Sequence, residues 1–194
     1  MQKERDSGSP GQSQTGTVPD CVDAERSEAS PVRYRRKLGL LLVVAALVVT
    51  FDQLSKLWID ANQSEIELLP GFLDLVYVRN WGAAFGLFAS HTELLIAIGI
   101  AGSIILLVFF HYMSPVADLG VLSFALLLGG AVGNLVDRIR FGYVVDFISV
   151  QFIRWPPFNI ADASITVGIF ALLYFFYRSG VFSQTYERSH RARG

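Results

Sequence analysis

Two aspartates in this sequence stand where a carboxylate is out of place. Asp146 sits inside the apolar, β-branched run from Tyr143 to Val150, between Val145 and Phe147, and Asp162 precedes fifteen residues without a charge. A carboxylate in a poorly solvated place holds its proton more tightly, and two that converge there share one. One ionised group can then activate water while one protonated group polarises a carbonyl. Peptide-bond hydrolysis that uses neither a metal nor a covalent intermediate needs that arrangement. A plainer explanation of Asp162 stands beside it: in Asn159-Ile-Ala-Asp162 an asparagine cap is followed three residues later by an acid, which is a helix-start signal.

Other polar residues have two readings as well. Asp52 and Lys56 are one helical turn apart with the acid first, the favourable order for an ion pair, and both fall within an apolar segment. Asn80 opens Asn80-Trp-Gly82-Ala-Ala-Phe, a stretch small enough for close backbone approach and equally explained as a tight turn with aromatic anchors. Asn134, Asp137 and Arg138 share one helical face, and a mutually bonded cluster that ties one span to its neighbours accounts for them. His91, His111 and His190 have no metal-ligand spacing, and Gly129 to Gly133 lack the Lys-Ser/Thr of a phosphate loop. No metal or other cofactor is expected. Cys21 has no partner for an internal disulfide.

These side chains need a scaffold, and composition says which kind. Hydrophobic residues make up 52% of the chain and charged ones 17%, with a mean hydropathy of +0.43. That is a membrane protein. Sixteen basic residues against seventeen acidic ones leave no basic excess for nucleic acid. Four apolar stretches are expected to span as helices: Leu38 to Trp58, Leu94 to Tyr112, Ala117 to Val136 and Ile160 to Tyr177. The first would run roughly 31 Å, one hydrocarbon thickness. Arg33, Arg35, Arg36 and Lys37 place its start in the cytoplasm, and Arg178, Arg188, Arg191 and Arg193 agree with a cytoplasmic C-terminus. Asp137, Arg138 and Arg140 are expected where the third span reaches the headgroups.

Both longer connections then lie on the outer side. Ile66 to Leu69 and Phe72 to Val78, around Pro70-Gly71, read as two strands of a small sheet, and Tyr143 to Val150 as a strand or extended segment. The fold class expected is an all-α membrane protein with four transmembrane helices, a small extracytoplasmic β-sheet and an interfacial loop. Residues 1–32 read as a disordered polar leader, 33–178 as the membrane domain and 179–194 as a basic tail. The late start of the apolar run, with Asp52, Gln53 and Lys56 near its end, fits a cleavable secretory signal badly. Spans two, three and four are expected to wall a cleft that the loop carrying Asn80 closes.

Taken in order, Phe51-Asp-Gln-Leu-Ser-Lys56, Asn80-Trp-Gly-Ala-Ala-Phe85, Gly133-Asn-Leu-Val-Asp-Arg138, Val144-Val-Asp-Phe147 and Phe158-Asn-Ile-Ala-Asp162 resemble the successive motifs of the bacterial lipoprotein signal peptidases, the type II signal peptidases. The likeness covers about residues 38 to 178. It implies an aspartyl endopeptidase of the bacterial cytoplasmic membrane that cuts diacylglyceryl-modified prolipoproteins before the lipidated cysteine. It maps the catalytic pair onto Asp146 and Asp162. Asp52, Lys56, Asn80, Gly82, Asn134, Asp137, Arg138, Asn159 and Ala161 fall on supporting or substrate-lining positions. The partners it implies are the prolipoproteins, membrane lipid and globomycin-type inhibitors, with the protein itself a monomer. Two rivals remain from other classes. A proton-coupled transporter would use the same acids but needs charges along a path to both faces, and a membrane scaffold would need only their packing and capping.

Overall fold

A computed structural model describes residues 31–63, 65–83, 87–89, 91–113 and 117–179. The polar leader up to residue 30, the tail beyond 179, the turn at Ser114-Pro115 and residues 84–86 of the Asn80 loop lie outside the described residues. The element order is α1 (Pro31–Asn62), β1 (Ile66–Leu69), β2 (Leu73–Asn80), α2 (Thr92–Met113), α3 (Asp118–Phe141), β3 (Val144–Val150) and α4 (Ile160–Arg178). All four helices are long and apolar enough to cross a membrane.

All four helices exceed their expected lengths, and the two largest extensions, of α1 and α3, have local reasons. Proline suits a first helical turn because it needs no N–H partner there, and the described part of α1 reaches back to Pro31, inside the expected leader. It stops where the Asn62 amide bonds to the Trp58 carbonyl and Gln63 turns to a φ of 44°. Helix α3 runs five residues past Val136, because nothing breaks it before Gly142. There a φ of 80° lets the backbone N–H return to the Arg138 carbonyl at 3.0 Å. Asp137, Arg138 and Arg140 therefore belong to the helix itself, with Asp137 facing inward.

Helix α3 is the axis of the bundle. It is buried along most of its length, whereas α2 buries Leu95 and Phe110, and α4 buries Ala161 and Gly168. Lipid gives apolar helices no hydrophobic reason to associate, so close backbone approach must do it. A Cβ on Gly129 would lie 2.7 Å from that of Val48 on α1, and one on Gly130 would strike the Ala161 carbonyl on α4. One cluster, with Leu41, Phe110, Val121 and Phe124 at its centre, fills the bundle away from the sheet.

The strands form one antiparallel sheet, β1-β2-β3. Tyr143 to Val150 thus supplies its third strand. A bulge between Leu75 and Val78 sets the register that places Val78 opposite Asp146 and Asn80 opposite Val144. Val145 and Phe147 pack with Ile59 of α1 on the other face of β3. Beyond β3, Phe158 bridges back to Ile148, with its N–H donating to the Ile148 carbonyl at 3.0 Å. That bridge brings the start of α4 beside Asp146.

Candidate active site

Five elements, α1, β2, α3, β3 and α4, deliver polar side chains to the sheet end of the bundle, and the bonds sort them into two groups. Behind lies a closed ionic cluster. Lys56 meets Asp52 at 2.7 Å and Asp137 at 2.9 Å, with 4%, 0% and 1% of the three side chains exposed. The pair expected between Asp52 and Lys56 is present, joined by a second acid from α3. Asp52 also accepts from the Ala161 N–H at 2.9 Å, which fastens α1 to the first turn of α4. Asp137 accepts from the Val145 N–H at 3.3 Å, which fastens α3 to β3.

In front are the two carboxylates singled out from the sequence. Asp146 is 2% exposed; its Oδ2 accepts from the Asn80 amide at 2.9 Å and its Oδ1 from the Asn159 amide at 2.7 Å. Asp162 accepts from the Asn134 amide at 2.8 Å through Oδ1 and from the Asn159 N–H at 3.3 Å through Oδ2. Among the described residues neither is in an ion pair. Burial first, and then the negative charge of Asp162, push the Asp146 carboxyl up to about 7, against the pull of its two asparagine donors.

Asp162 belongs to the start of α4 and also borders the same cavity as Asp146. Asn159 caps α4 by accepting from the Asp162 N–H at 2.9 Å, and Asp162 answers by accepting from the Asn159 N–H. The same Asn159 amide reaches Asp146 and the Asn134 oxygen, so the capping box and the carboxylate pair are one structure.

Both acids border a cavity of about 510 Å³. Its polar wall is Asn80, Asn134 and Arg138; its apolar wall is Val144, Trp155 to Phe158, Ile165 and Val167. Ala83 lines it too, just past the Asn80 turn, where the Gly82 N–H donates to the Asn80 oxygen at 3.0 Å. The cavity is of ligand size, mostly apolar, with a few convergent polar groups.

Two expectations need correction. Span two contributes no lining residue: α2 packs on the far side of α3, and the lining comes from the β2 end, α3, β3, the 155–158 segment and α4. Arg138 does not bond to Asp137. Its guanidinium donates to the Gly82 carbonyl at 2.9 Å, tying α3 to the Asn80 loop, while Asp137 turns toward Lys56. Ala161, fully buried against Gly133, belongs to the packing behind the cavity.

Gln53 was not singled out. Its amide donates to Asp137 at 2.7 Å and to the Gly133 carbonyl at 3.2 Å, bridging α1 and α3. Its spacing of three from Lys56, on the same helical face, was the available signal. Trp155 to Pro157 were missed as lining because their position depends on the Phe158 bridge.

Fold and site together define a multi-pass membrane protein with a mostly apolar cavity, bordered by two carboxylates, at one end of its bundle. Three comparisons narrow the class. The family model described as Signal peptidase (SPase) II matches residues 44–178. The lipoprotein signal peptidase of Moorella thermoacetica is 47% identical over 134 residues, 68% of this chain and 88% of that one. That of Syntrophotalea carbinolica is 43% identical over 151 residues, 73% of this chain and 93% of its own. A bacterial membrane enzyme solved by the in meso method at 2.3 Å resolution superposes with a TM-score of 0.69 at 33% identity, covering 72% of this chain and 88% of that one. A second, solved at 1.9 Å resolution, gives 0.65 at 34% identity, covering 70% and 91%. The chain belongs to the signal peptidase II family.

Proposed function

We propose that this protein removes signal peptides from diacylglyceryl-modified prolipoproteins, cutting just before the lipidated cysteine, and that Asp146 and Asp162 carry the hydrolysis. The observation that supports this most is that two carboxylates from separate segments border one cavity, each held by amide donors and, among the described residues, neither in an ion pair.

In this reading the pair carries one proton and titrates as a unit. The ionised member takes a proton from water as the oxygen attacks the scissile carbonyl. The protonated member gives its proton to the carbonyl oxygen, forming a neutral gem-diol. Collapse breaks the C–N bond: a gem-diol hydroxyl returns a proton to the carboxylate that gave one, and the proton taken from water passes to the leaving amine of the lipidated cysteine. A group with a pKa of about 7 changes state at little expense near neutral pH, as acid–base work requires. The neighbouring amides keep each carboxylate in place without neutralising it.

The sheet end of the bundle faces outward from the cytoplasmic membrane and both termini are cytoplasmic. A signal peptide anchored as a helix and a cysteine anchored by acyl chains present their shared bond at the headgroup level. The apolar wall from Trp155 to Val167 receives the lipid side of the substrate, and the Asn80 loop covers the peptide, held down by Arg138 through Gly82. The gathering of polar groups at one end of the bundle favours hydrolysis over a transport path.

The test is to incubate purified protein with a diacylglyceryl prolipoprotein and with its unlipidated counterpart, and to map the products by mass spectrometry. The expected result is one cut before the modified cysteine in the lipidated substrate, blocked by globomycin. Equal cutting of both substrates, or cutting of neither, contradicts the proposal.

A further inference from the structure

Three asparagine amides touch the aspartate pair, and each must present its NH2 rather than its oxygen. A carboxylate only accepts, so an amide turned the other way would set oxygen against oxygen. What holds each amide the right way round can be read from the group that claims its oxygen. For Asn80 it is the Gly82 N–H at 3.0 Å, and for Asn159 the Asp162 N–H at 2.9 Å. Both are main-chain donors that no side-chain substitution removes. For Asn134 the main chain supplies none of the bonds seen: its oxygen accepts from the Lys56 ammonium at 3.2 Å and from the Asn159 amide at 3.1 Å.

We propose that Lys56 is a positioning residue for the hydrolytic pair: its ammonium fixes the Asn134 amide with the oxygen inward, so that the NH2 faces Asp162. The inference rests on reading Asp146 and Asp162 as that pair. An ammonium has three protons and no acceptor site. All three are taken up here, by Asp52 at 2.7 Å, Asp137 at 2.9 Å and Asn134 at 3.2 Å. The two acids pin the Lys56 nitrogen, and its third proton, together with the Asn159 amide, holds the Asn134 oxygen inward. The planar amide then delivers its nitrogen to Asp162 Oδ1 at 2.8 Å. The ionic cluster behind the cavity thus does more than join helices. A neutral side chain at position 56 that both donates and accepts would let Asn134 turn over. Its oxygen would then oppose Asp162, disfavour the ionised form of the pair and shift the acid limb of the rate profile to higher pH.

Removing Lys56 alone would leave Asp52 and Asp137 buried without a cation, so the informative comparison is Lys56→Gln/Asp137→Asn against Asp137→Asn. The double variant keeps the cluster at the wild-type net charge of one negative. The other charged groups that face the pair, Asp52 on α1 and Arg138 on α3, are unchanged. Relative to wild type, whose cluster charge it matches, the double variant is expected to show a kcat lower by about 100-fold, a KM within threefold and an acid limb displaced to higher pH, with Asp137→Asn losing far less. A kcat within threefold of the single variant overturns the proposal.

A second measurement needs only the folded wild type. With asparagine side chains labelled with nitrogen-15, the Asn134 NH2 signals, identified by their loss in Asn134→Ala, should move as the pair titrates. Signals that stay fixed through that titration overturn the proposal even if the double variant does not fold. Asp146→Asn and Asp162→Asn in the same assay keep the two claims separate. If either stays active, the reading of the pair fails. If both are inactive while the double variant works, the positioning role alone fails.

Discussion

Four buried or half-buried aspartates meet at one end of this bundle, and they live in two different surroundings. Asp52 and Asp137 share a lysine, are closed off from the cavity, and each hold a main-chain N–H of another element. Asp146 and Asp162 border the cavity, share asparagine donors and face no ion-pair partner among the described residues. The comparison teaches that burial alone does not mark a reactive carboxylate. A buried acid that meets a cation and holds a main-chain N–H of another element serves as a joint. Asp146 and Asp162, which lie beside one another on the cavity, are the pair proposed to move a proton.

The contrast breaks most visibly in activity. Asp146→Asn and Asp162→Asn should each lower turnover of a lipidated substrate by roughly a thousandfold or more, with unfolding temperatures close to wild type. Asp137→Asn should retain measurable turnover while unfolding earlier. Complete loss in Asp137→Asn at normal thermal stability would mean that the two groups had been assigned the wrong way round. The next largest effect is on stability. Lys56→Met strands two acids in the interior, and losing one partner of a buried ionic network costs about 3–5 kcal/mol, readable as a lower midpoint in detergent unfolding. A smaller effect sharpens the picture of the joint. Gly133→Ala places a Cβ 2.8 Å from Asp52 Oδ2 and 3.3 Å from the Ala161 Cβ, and overpacking of that kind costs about 1–3 kcal/mol. An unfolding midpoint equal to wild type would show that the α1–α3–α4 contact is looser than described.

Much of this was legible in the sequence because the signals are local. Four apolar stretches announced the spans, and Asp146 and Asp162 each broke a hydrophobic run in a way that composition made conspicuous. Asn159 was visible as a cap, although its reach to Asp146 was not, since that depends on the Phe158 bridge. The end of α3 was misjudged because charge normally marks a headgroup boundary. Here Asp137 is turned inward to a lysine on another helix, and only Gly142 ends the segment. The partners of Arg138 and Gln53 lie 56 and 84 residues away, and no spacing rule reaches that far. The expected role of span two failed for the same reason. Hydropathy identifies a helix that meets lipid but does not say which neighbour it leans on.

The central claim is that Asp146 and Asp162 sense one another as a coupled pair, and carboxyl carbon-13 NMR can test it directly in the folded protein. In the wild type the Asp146 signal should titrate near 7, well above the ordinary value of 3.8. In Asp162→Asn the neighbouring negative charge is gone while burial remains, so the midpoint should fall but stay above that ordinary value. An Asp146 midpoint that does not move when Asp162 is neutralised would contradict the account.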